Sequence, residues 1–235
     1  MLSVEALQAL LRNTKDAKRS NVLQSFFKTG KGQYAEGDQF LGIYVPVLRQ
    51  YAKSARDLQR NFIEPLLSSP YNEERLLGIM ILHQQFQKAE IDEKREIFQL
   101  ILRHLPHINN WNLVDFAGPY IFGPYFWATQ PDQLKTWAES DNLWKKRLSI
   151  VSTHYFIKKN NFEWTLKIAE TLMRDPHDLI HKAVGWMLRE VGKRDQKTLE
   201  TFLDQWTVHM PRTMLRYAIE RLSKDKRQHY MTLKA

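Results

Sequence analysis

The chain has 235 residues and no cysteine, and 43% of its residues are apolar. That length suits one elongated domain or two small ones, and the lack of cysteine excludes disulfides, iron–sulfur clusters, thiolate zinc sites and cysteine nucleophiles. The 35 Lys and Arg residues outnumber the 26 Asp and Glu residues, so the formal charge is +9 and the pI is about 9.6. This balance favours a polyanionic partner, either nucleic acid or an anionic membrane surface.

The first residues, Met1-Leu2-Ser3-Val4-Glu5, lack the basic and apolar regions of a signal peptide, and no apolar run is long enough to span a membrane. We therefore expect a cytosolic protein. Apolar residues recur at spacings of three and four, as at Leu7, Leu10 and Leu11. The same periodicity extends over nearly the whole chain and predicts an all-α fold. Prolines interrupt it at intervals that suit helices of about ten to sixteen residues.

Residues 29 to 44 break the helical pattern. Within them, the glycine-rich segment Gly30–Asp38 is followed by an apolar stretch that leads to Pro46, which predicts the first turn of the next helix. The segment is either a phosphate-contacting loop or a long connection. The order Gly30-Lys31-Gly32 does not fit the phosphate-loop pattern G-x-x-x-x-G-K-[ST], so we exclude nucleotide binding there.

The segment Asn109-Asn110-Trp111-Asn112-Leu113-Val114-Asp115 lies near the middle of the chain. On a helix, Trp111 and Asp115 are four residues apart, so their side chains share one face. Gly118-Pro119 follows, and this pair is expected to stop the helix and to leave Asp115 in the last turn, where the helix dipole disfavours an anion. By itself, the segment fits either a core Trp with a solvated Asp or a functional pair.

Five segments align when the chain is searched for internal repeats. The alignment makes the following residues equivalent: Arg75, Trp111, Arg147, Lys182 and Arg216. Successive anchors are separated by 36, 36, 35 and 34 residues. A weak repeat of this length, with two helices in each repeat, is typical of an α-solenoid of the HEAT or TPR kind. We therefore predict a single domain, residues 1–235, built from about six HEAT-like two-helix repeats.

Equivalent repeat positions line up along one surface of a solenoid, so the five anchors are expected to form a mostly cationic row. One turn further on, Asp115 and Trp186 occupy the same position in different repeats. If the row faces a concave groove, these two residues converge with Trp111 and Arg147. A basic stripe with aromatic plates and one acid fits a DNA-backbone groove with a chemical centre. The alternative is that the basic residues mark only the solvent-exposed flank of each repeat.

Other candidate sites are weaker. His177 and His181 are four residues apart and could ligate zinc from one helix face, but no glutamate of the HExxH type lies between them and no third ligand is evident. We therefore predict no metal site and interpret these histidines as surface or capping residues. The clusters Lys145-Lys146-Arg147 and Lys158-Lys159 could contact phosphates, although a solvated helix face explains each of them alone.

The chain also resembles the HEAT-like repeat DNA alkylation repair proteins of the AlkD type, which are alkylpurine DNA glycosylases. The resemblance covers most of the chain and is clearest in Phe40-Leu41-Gly42-Ile43, in residues 140–147 and in residues 182–190. The family's catalytic cleft contains two tryptophans and an aspartate with an arginine beside them. The resemblance carries these roles onto the residues that the repeat alignment brings together: Trp111, Asp115, Trp186 and Arg147.

The resemblance implies hydrolysis of the N-glycosidic bond of cationic N3- or N7-alkylated purines in duplex DNA, without a base-flipping pocket. Asp115 would stabilise the oxocarbenium-like sugar and orient a water, while the tryptophans would pack against the deoxyribose and Arg147 would hold a backbone phosphate. The implied protein is a monomer that needs no cofactor. The residues expected to bind DNA are Arg75, Arg147, Lys158, Lys182, Arg189 and Arg216.

Two features depart from the family pattern. The segment Gly30–Asp38 is longer than expected, and Phe26 and Phe27 stand where the family has a tyrosine near the lesion. Both features lie in the region that helps to grip DNA. Some members with this scaffold bind branched DNA without glycosylase activity. Two alternatives therefore stay open: a non-catalytic binder of branched or distorted DNA, and a protein-interaction solenoid of the ordinary HEAT type.

Overall fold

The computed structural model describes residues 3–129 and 131–233, so positions 1, 2, 130, 234 and 235 of the predicted domain lie outside the described part. Within these ranges the secondary structure is helical without a β-strand, which confirms the predicted all-α class. The chain forms two compact units, Met1–Phe116 and Ala117–Ala235. In the described ranges, none of the helices is long and apolar enough to cross a bilayer. A single repeat domain stays a prediction.

The first unit consists of helices joined by short turns and by one long glycine-rich connection. Its helices are α1 (Val4–Asn13), α2 (Ala17–Phe26), α3 (Val45–Ser54), α4 (Arg60–Leu67), α5 (Asn72–Phe86), α6 (Ile91–Arg103) and α7 (Trp111–Ala117), with a 3-10 turn at Leu105–His107. The last helix ends one residue past the unit boundary. Pro46 lies in the first turn of α3, as its position in the sequence predicts.

Helix α5 is the centre of the first unit. It packs against α3, α4 and α6, and its apolar side chains are buried on every side, as expected for a helix without a solvent face. Its first turn is different because residues 72–75 are Asn, Glu, Glu and Arg, and all four are buried. Buried polar groups require hydrogen-bond partners, so this turn connects several segments of the unit.

The second unit begins where α7 ends. Its elements are a π-helical turn (Gly118–Phe122), α8 (Gly123–Ala128), α9 (Asp132–Ala138), α10 (Leu143–Lys158), α11 (Glu163–Thr171), α12 (Asp178–Arg194), α13 (Gln196–Trp206), a 3-10 turn (Thr207–His209), α14 (Arg212–Ala218) and α15 (Lys224–Thr232). Local side chains cap the starts of α10, α12, α13 and α15; at α10 the Asn142 side chain accepts from Trp144 N and Lys145 N.

The helices of the second unit form two layers. One layer contains α8, α10, α12 and α14, in which α10 packs on α8 and α12, and α12 packs on α14. The other layer contains α9, α11 and α13, of which α9 and α11 pack on α10 and α13 packs on α12. Gly185 allows the close approach of α12 to α14, because a Cβ at that position would lie 2.4 Å from the carbonyl oxygen of Met214. This two-layer order within the unit is the arrangement that a HEAT-like repeat predicts.

Candidate functional site

Trp111 and Asp115 lie one turn apart on α7, and both side chains are partly exposed. The prediction that Gly118-Pro119 stops this helix is wrong. The chain continues from α7 through the π-helical turn into α8, with Pro119 buried in that turn. A π-helical turn shifts the backbone hydrogen-bond register, which accommodates a residue that has no N–H to donate. Asp115 therefore does not lie in the exposed last turn of an isolated helix.

A buried carboxylate, Asp38, lies beneath the start of α7. One of its oxygens, Oδ1, accepts a hydrogen bond from Nη2 of Arg75 at 2.5 Å. The other, Oδ2, accepts from Nδ2 of Asn72 at 3.0 Å and from Nδ2 of Asn110 at 2.8 Å. Asp38 is only 5% exposed, and Asn110 is fully buried. The last residue of the glycine-rich segment thus joins α5 to the residue that precedes α7.

The asparagines around Trp111 form the rest of this anchor. The Asn110 side-chain oxygen accepts from the backbone N–H of Trp111 at 2.8 Å, while Asn112 donates from Nδ2 to Oδ1 of Asn72 at 2.7 Å. Asn109 accepts from the guanidinium of Arg75 at 3.3 Å. We call Asp38, Asn72, Arg75, Asn109, Asn110 and Asn112 the Asp38 network. All three asparagines of the segment 109–115 therefore take part in holding α7 in place. Trp111 and Asp115 are the partly exposed residues of this helix that face the proposed site.

Aromatic rings support the other side of Trp111. The Phe27 ring is stacked on the Trp111 ring with centroids 4.7 Å apart and an interplanar angle of 20°, and Phe40 stacks on Phe27 in the same way. Phe26 meets the edge of Trp111 at 5.9 Å, and 61% of its surface is exposed. These contacts fix the plane of the indole. The two phenylalanines that depart from the family pattern are thus packed directly against Trp111.

The neighbouring carboxylates of α5 have structural roles. Glu73 accepts hydrogen bonds from the backbone N–H groups of Leu41, Gly42 and Ile43 at 2.8 to 3.3 Å. Burial raises the pKa of Glu73, and these backbone hydrogen bonds oppose that shift. Glu74 is fully buried and accepts from Arg12 Nε of α1 at 3.1 Å. In the first turn of α5, Glu73, Glu74 and Arg75 thus each bind a different segment of the unit.

Arg147 and Trp186 belong to the second unit. Arg147 lies on α10, is 5% exposed and donates a hydrogen bond to the carbonyl oxygen of Leu179 at the start of α12. Trp186 lies on α12, is partly exposed, and its ring centroid is 6.1 Å from that of His154. The expectation that Arg147 holds a phosphate is not supported by this position, because a buried guanidinium offers little surface to an external anion.

The surroundings of His154 are cationic. Burial lowers the pKa of this imidazole, and Lys158 lowers it further, while Glu190 opposes the shift. Lys193 and Arg194, at the end of α12, add to the lowering. Burial and the cations near His154 therefore both favour the neutral form of this imidazole.

The six cations predicted to bind DNA differ in how much surface they expose. Arg75 is 4% exposed and bound within the Asp38 network, so burial corrects the expectation that it lies in an accessible cationic row. Lys158 and Arg216 are exposed. The Lys182 side chain is 40% exposed and pairs with Asp178 at 2.7 Å. Arg189 is less exposed and pairs with carboxylates of the second unit, Glu190 and Glu220.

The repeat alignment can be compared with the positions of its anchors in their helices. Arg147, Lys182 and Arg216 are each the fifth residue of their helices, α10, α12 and α14. Trp111 is the first residue of α7, and Asp115 is the fifth. The alignment is therefore in register within the second unit but displaced by about one turn at α7, a larger difference than the usual uncertainty of helix ends.

The histidine pair of α12 has a local role. His177 precedes the helix, and its Nδ1 accepts a hydrogen bond from the backbone N–H of Leu179, so it is a cap, as the sequence interpretation proposed. Among residues 3–129 and 131–233, no group of three or more His, Cys, Asp or Glu side chains is placed to hold a metal ion.

Sequence reasoning missed Asp38, which the structure places at the centre of the site's anchor. It treated the glycine-rich segment only as a loop or a connection. The available signal was composition: three asparagines within four positions beside Trp111 are more polar amide groups than a solvated helix start requires. Their partners, Asp38 and Asn72, are distant in sequence, so the pattern alone could not identify them.

The family model for DNA alkylation repair enzymes matches residues 7–222. The solved structure of a predicted DNA alkylation repair enzyme from Enterococcus faecalis is 18% identical to this chain, with a TM-score of 0.73. The match covers 90% of this chain and 98% of that one, and at this identity it shows the fold. A search of curated protein sequences finds no match.

Proposed function

The chain belongs to the family of DNA alkylation repair enzymes, and from this premise we propose that it is a DNA glycosylase. Its substrates in this proposal are cationic N3- and N7-alkylated purines in duplex DNA. The observation that carries the proposal is the presentation of Trp111 and Asp115 on one face of α7 by a buried polar network. Holding an aromatic plate and a carboxylate so firmly is the preorganisation that catalysis by electrostatic stabilisation requires.

The chemistry asks little of the protein. In an alkylated purine the base carries a positive charge, so the C1′–N bond breaks with its electron pair going to a base that leaves as a neutral molecule. The sugar becomes oxocarbenium-like, and a carboxylate beside it stabilises the developing charge. A water then adds to C1′ and loses one proton, giving an abasic site. Asp115 supplies the carboxylate that stabilises the sugar and orients this water, so no strong general acid is needed.

The aromatic residues exclude water and orient the sugar. Trp111, braced by Phe27, provides a fixed apolar surface one turn from Asp115. We assign Trp186 the corresponding role that the family resemblance implies for the second tryptophan. Phe26 adds an exposed aromatic surface next to Trp111. Such surfaces hold a deoxyribose by apolar contact and do not enclose the departing base. The proposed reaction accordingly includes no base-flipping step.

The DNA backbone is bound by the exposed cations of the second unit. Lys158 and Arg216 are exposed, and Lys182 is partly exposed. These residues can neutralise phosphates, whereas the buried Arg75 and Arg147 cannot present their charge in the same way. We further propose that the protein acts as a monomer in the cytoplasm and needs no cofactor.

The test is base release from duplex DNA that carries N7-methylguanine, with abasic products cleaved and counted. Wild type is compared with Asp115→Asn, and Asp141→Asn serves as a control for loss of an exposed carboxylate. We expect Asp115→Asn to slow release by about 100-fold or more, the size expected for loss of a preorganised electrostatic group. DNA affinity should be nearly unchanged, and Asp141→Asn should match wild type.

Two results would contradict the proposal. Release at the wild-type rate by Asp115→Asn would remove the catalytic role of Asp115. No release by wild type, together with tight binding of four-way DNA junctions, would instead favour the non-catalytic binder of branched or distorted DNA.

A further inference from the structure

We propose that Asp38 is a positioning residue for the site on α7, holding Trp111 and Asp115 in the geometry that base release requires. The proposal rests on the proposed function for its kinetic consequence. Its structural basis is independent of that function, because it concerns how the first turn of α7 is fixed to α5. The residue comes from the glycine-rich segment, which the sequence pattern interprets as a phosphate-contacting loop or a long connection and not as a support for α7.

Both carboxylate oxygens of Asp38 accept hydrogen bonds. Three N–H donors from Arg75, Asn72 and Asn110 reach its two oxygens at 2.5, 3.0 and 2.8 Å. Asp38 is almost completely buried, so water does not substitute readily for any of these donors. A group that accepts from several directions and carries a negative charge beside a buried guanidinium has to be a carboxylate.

A short chain of hydrogen bonds connects this carboxylate to the catalytic helix. Asn110 donates to Asp38, and the Asn110 side-chain oxygen accepts from the backbone N–H of Trp111. The first residue of α7 is therefore two hydrogen bonds from Asp38. Buried side chains hold the middle of α7, and its end continues into the π-helical turn, so the contribution of Asp38 falls on the first turn, at Trp111.

Replacing the carboxylate by an amide would break this arrangement without changing its size. In Asp38→Asn, one oxygen becomes an NH₂ group, which faces N–H donors and cannot accept from them. Either the Arg75 contact or the two asparagine contacts must be lost, and Arg75 no longer has an anionic partner. The start of α7 then has more freedom. A displacement of about 1 Å at a catalytic group is enough to slow a reaction by about 100-fold.

Glu74 provides a matched control. Like Asp38, it is a buried carboxylate paired with an arginine at the start of α5, since Arg12 Nε lies 3.1 Å from its Oε1. It fixes α1, whereas Asp38 fixes α7. Glu74→Gln therefore removes a buried carboxylate of the same unit, although its partner Arg12 is half-exposed, and should leave Trp111 and Asp115 undisturbed.

The experiment combines hydrogen exchange with single-turnover base release, both at a temperature well below the unfolding midpoint of each variant. In Asp38→Asn we expect faster exchange of the amides of residues 111–115, and at least 10-fold slower release from DNA carrying N7-methylguanine. Affinity for undamaged duplex should change by less than about two-fold, because the exposed cations are untouched. In Glu74→Gln, faster exchange should be confined to α1, with release at the wild-type rate.

The proposal is overturned if Asp38→Asn leaves the exchange of residues 111–115 at the wild-type rate, or if Glu74→Gln slows release as much as Asp38→Asn. If wild type releases no base, the proposed function fails, and the exchange measurement alone decides whether Asp38 positions α7. If Asp38→Asn does not fold, Asn110→Ser takes its place. Serine has no side-chain amide to donate to Asp38, so the same exchange and release results are expected.

Discussion

Arg75 in the first unit and Arg216 in the second are equivalent in the repeat alignment but have opposite environments. Arg75 is buried at the start of α5 and binds Asp38, the carbonyl oxygen of Ser69 and Asn109. Arg216 is exposed on α14. A cation at a repeat position therefore does not define a function. The presence of a buried carboxylate beside it decides whether the charge is used inside the protein or is available to a phosphate.

The two units also bring their helices together differently. In the first unit the start of α5 is joined to its neighbours by charged and amide groups, as in the Asp38 network. In the second unit α12 approaches α14 closely through Gly185. Polar networks specify one arrangement because each unsatisfied member is costly, whereas close apolar packing tolerates changes on the solvent side. We therefore expect the start of α5 to be more sensitive to loss of a charge than the contact between α12 and α14.

The largest difference should appear in stability when the two arginines are removed. Arg75→Met leaves Asp38 buried without its cation, and breaking a buried pair in this way costs about 3–5 kcal/mol. Arg216→Met removes an exposed charge and should cost less than about 0.5 kcal/mol. Urea denaturation of both variants measures the free energies of unfolding. Equal losses would mean that the Asp38 network contributes nothing beyond an ordinary surface contact.

DNA binding should show the opposite order. If Arg216 contacts one phosphate, Arg216→Ala should reduce the slope of log K against log salt by about 0.9. Affinity should fall to a similar extent for all duplex sequences, because a phosphate contact carries no sequence information. Arg75→Met should leave the slope unchanged at a temperature where it is folded. Binding titrations at several salt concentrations measure both.

A control for this comparison is Arg56→Ala, since Arg56 is an exposed arginine of the first unit beside Asp57 and is not among the predicted DNA contacts. Its slope should equal that of wild type. A reduced slope for Arg56→Ala, or an unchanged one for Arg216→Ala, would contradict the assignment of phosphate binding to exposed cations of the second unit.

Local pattern was enough to predict much of the fold. The spacing of apolar residues predicts the helices, and Pro46 marks the start of α3. The repeat alignment predicts equivalent helix positions for Arg147, Lys182 and Arg216, and these are equivalent in the structure. Each of these features depends on residues close in sequence or on a repeating helix pair, so periodicity carries the information.

The anchor of the site could not be predicted in the same way. Asp38 and Asn110 are 72 residues apart, and nothing in the local composition of either one identifies the other. The continuation of the chain through Gly118-Pro119 was also missed, because Gly-Pro normally ends a helix and only the π-helical turn reconciles it with further helix. Pairing over such distances depends on tertiary packing, which overrides local preference.

The smallest effect concerns two histidines, one in each unit. Burial lowers the pKa of His83 on α5 and that of His154 on α10, but the cations Lys158, Lys193 and Arg194 contribute only at His154. Added salt screens charges and does not change burial. We expect NMR titration to show that the pKa of His154 rises between low and high NaCl concentration, whereas that of His83 stays constant. A salt-dependent pKa at His83 alone would reverse the assigned causes.

The same histidines make stability depend on pH in a defined direction. Because their pKa values are lower in the folded protein than the ordinary value of about 6.5, the unfolded chain binds protons more readily. Their contribution to stability is therefore present above about pH 6.5 and is lost as the pH falls through the folded-state values. High salt should narrow the pH range over which stability is lost at His154, because the folded-state pKa rises towards the ordinary value. The corresponding range at His83 should not change. Denaturation at pH 5 and pH 7.5, with His83→Gln and His154→Gln each compared with wild type, separates the two contributions. A salt-dependent contribution from His154 alone would then measure the effect of the neighbouring cations in the second unit, without any DNA present.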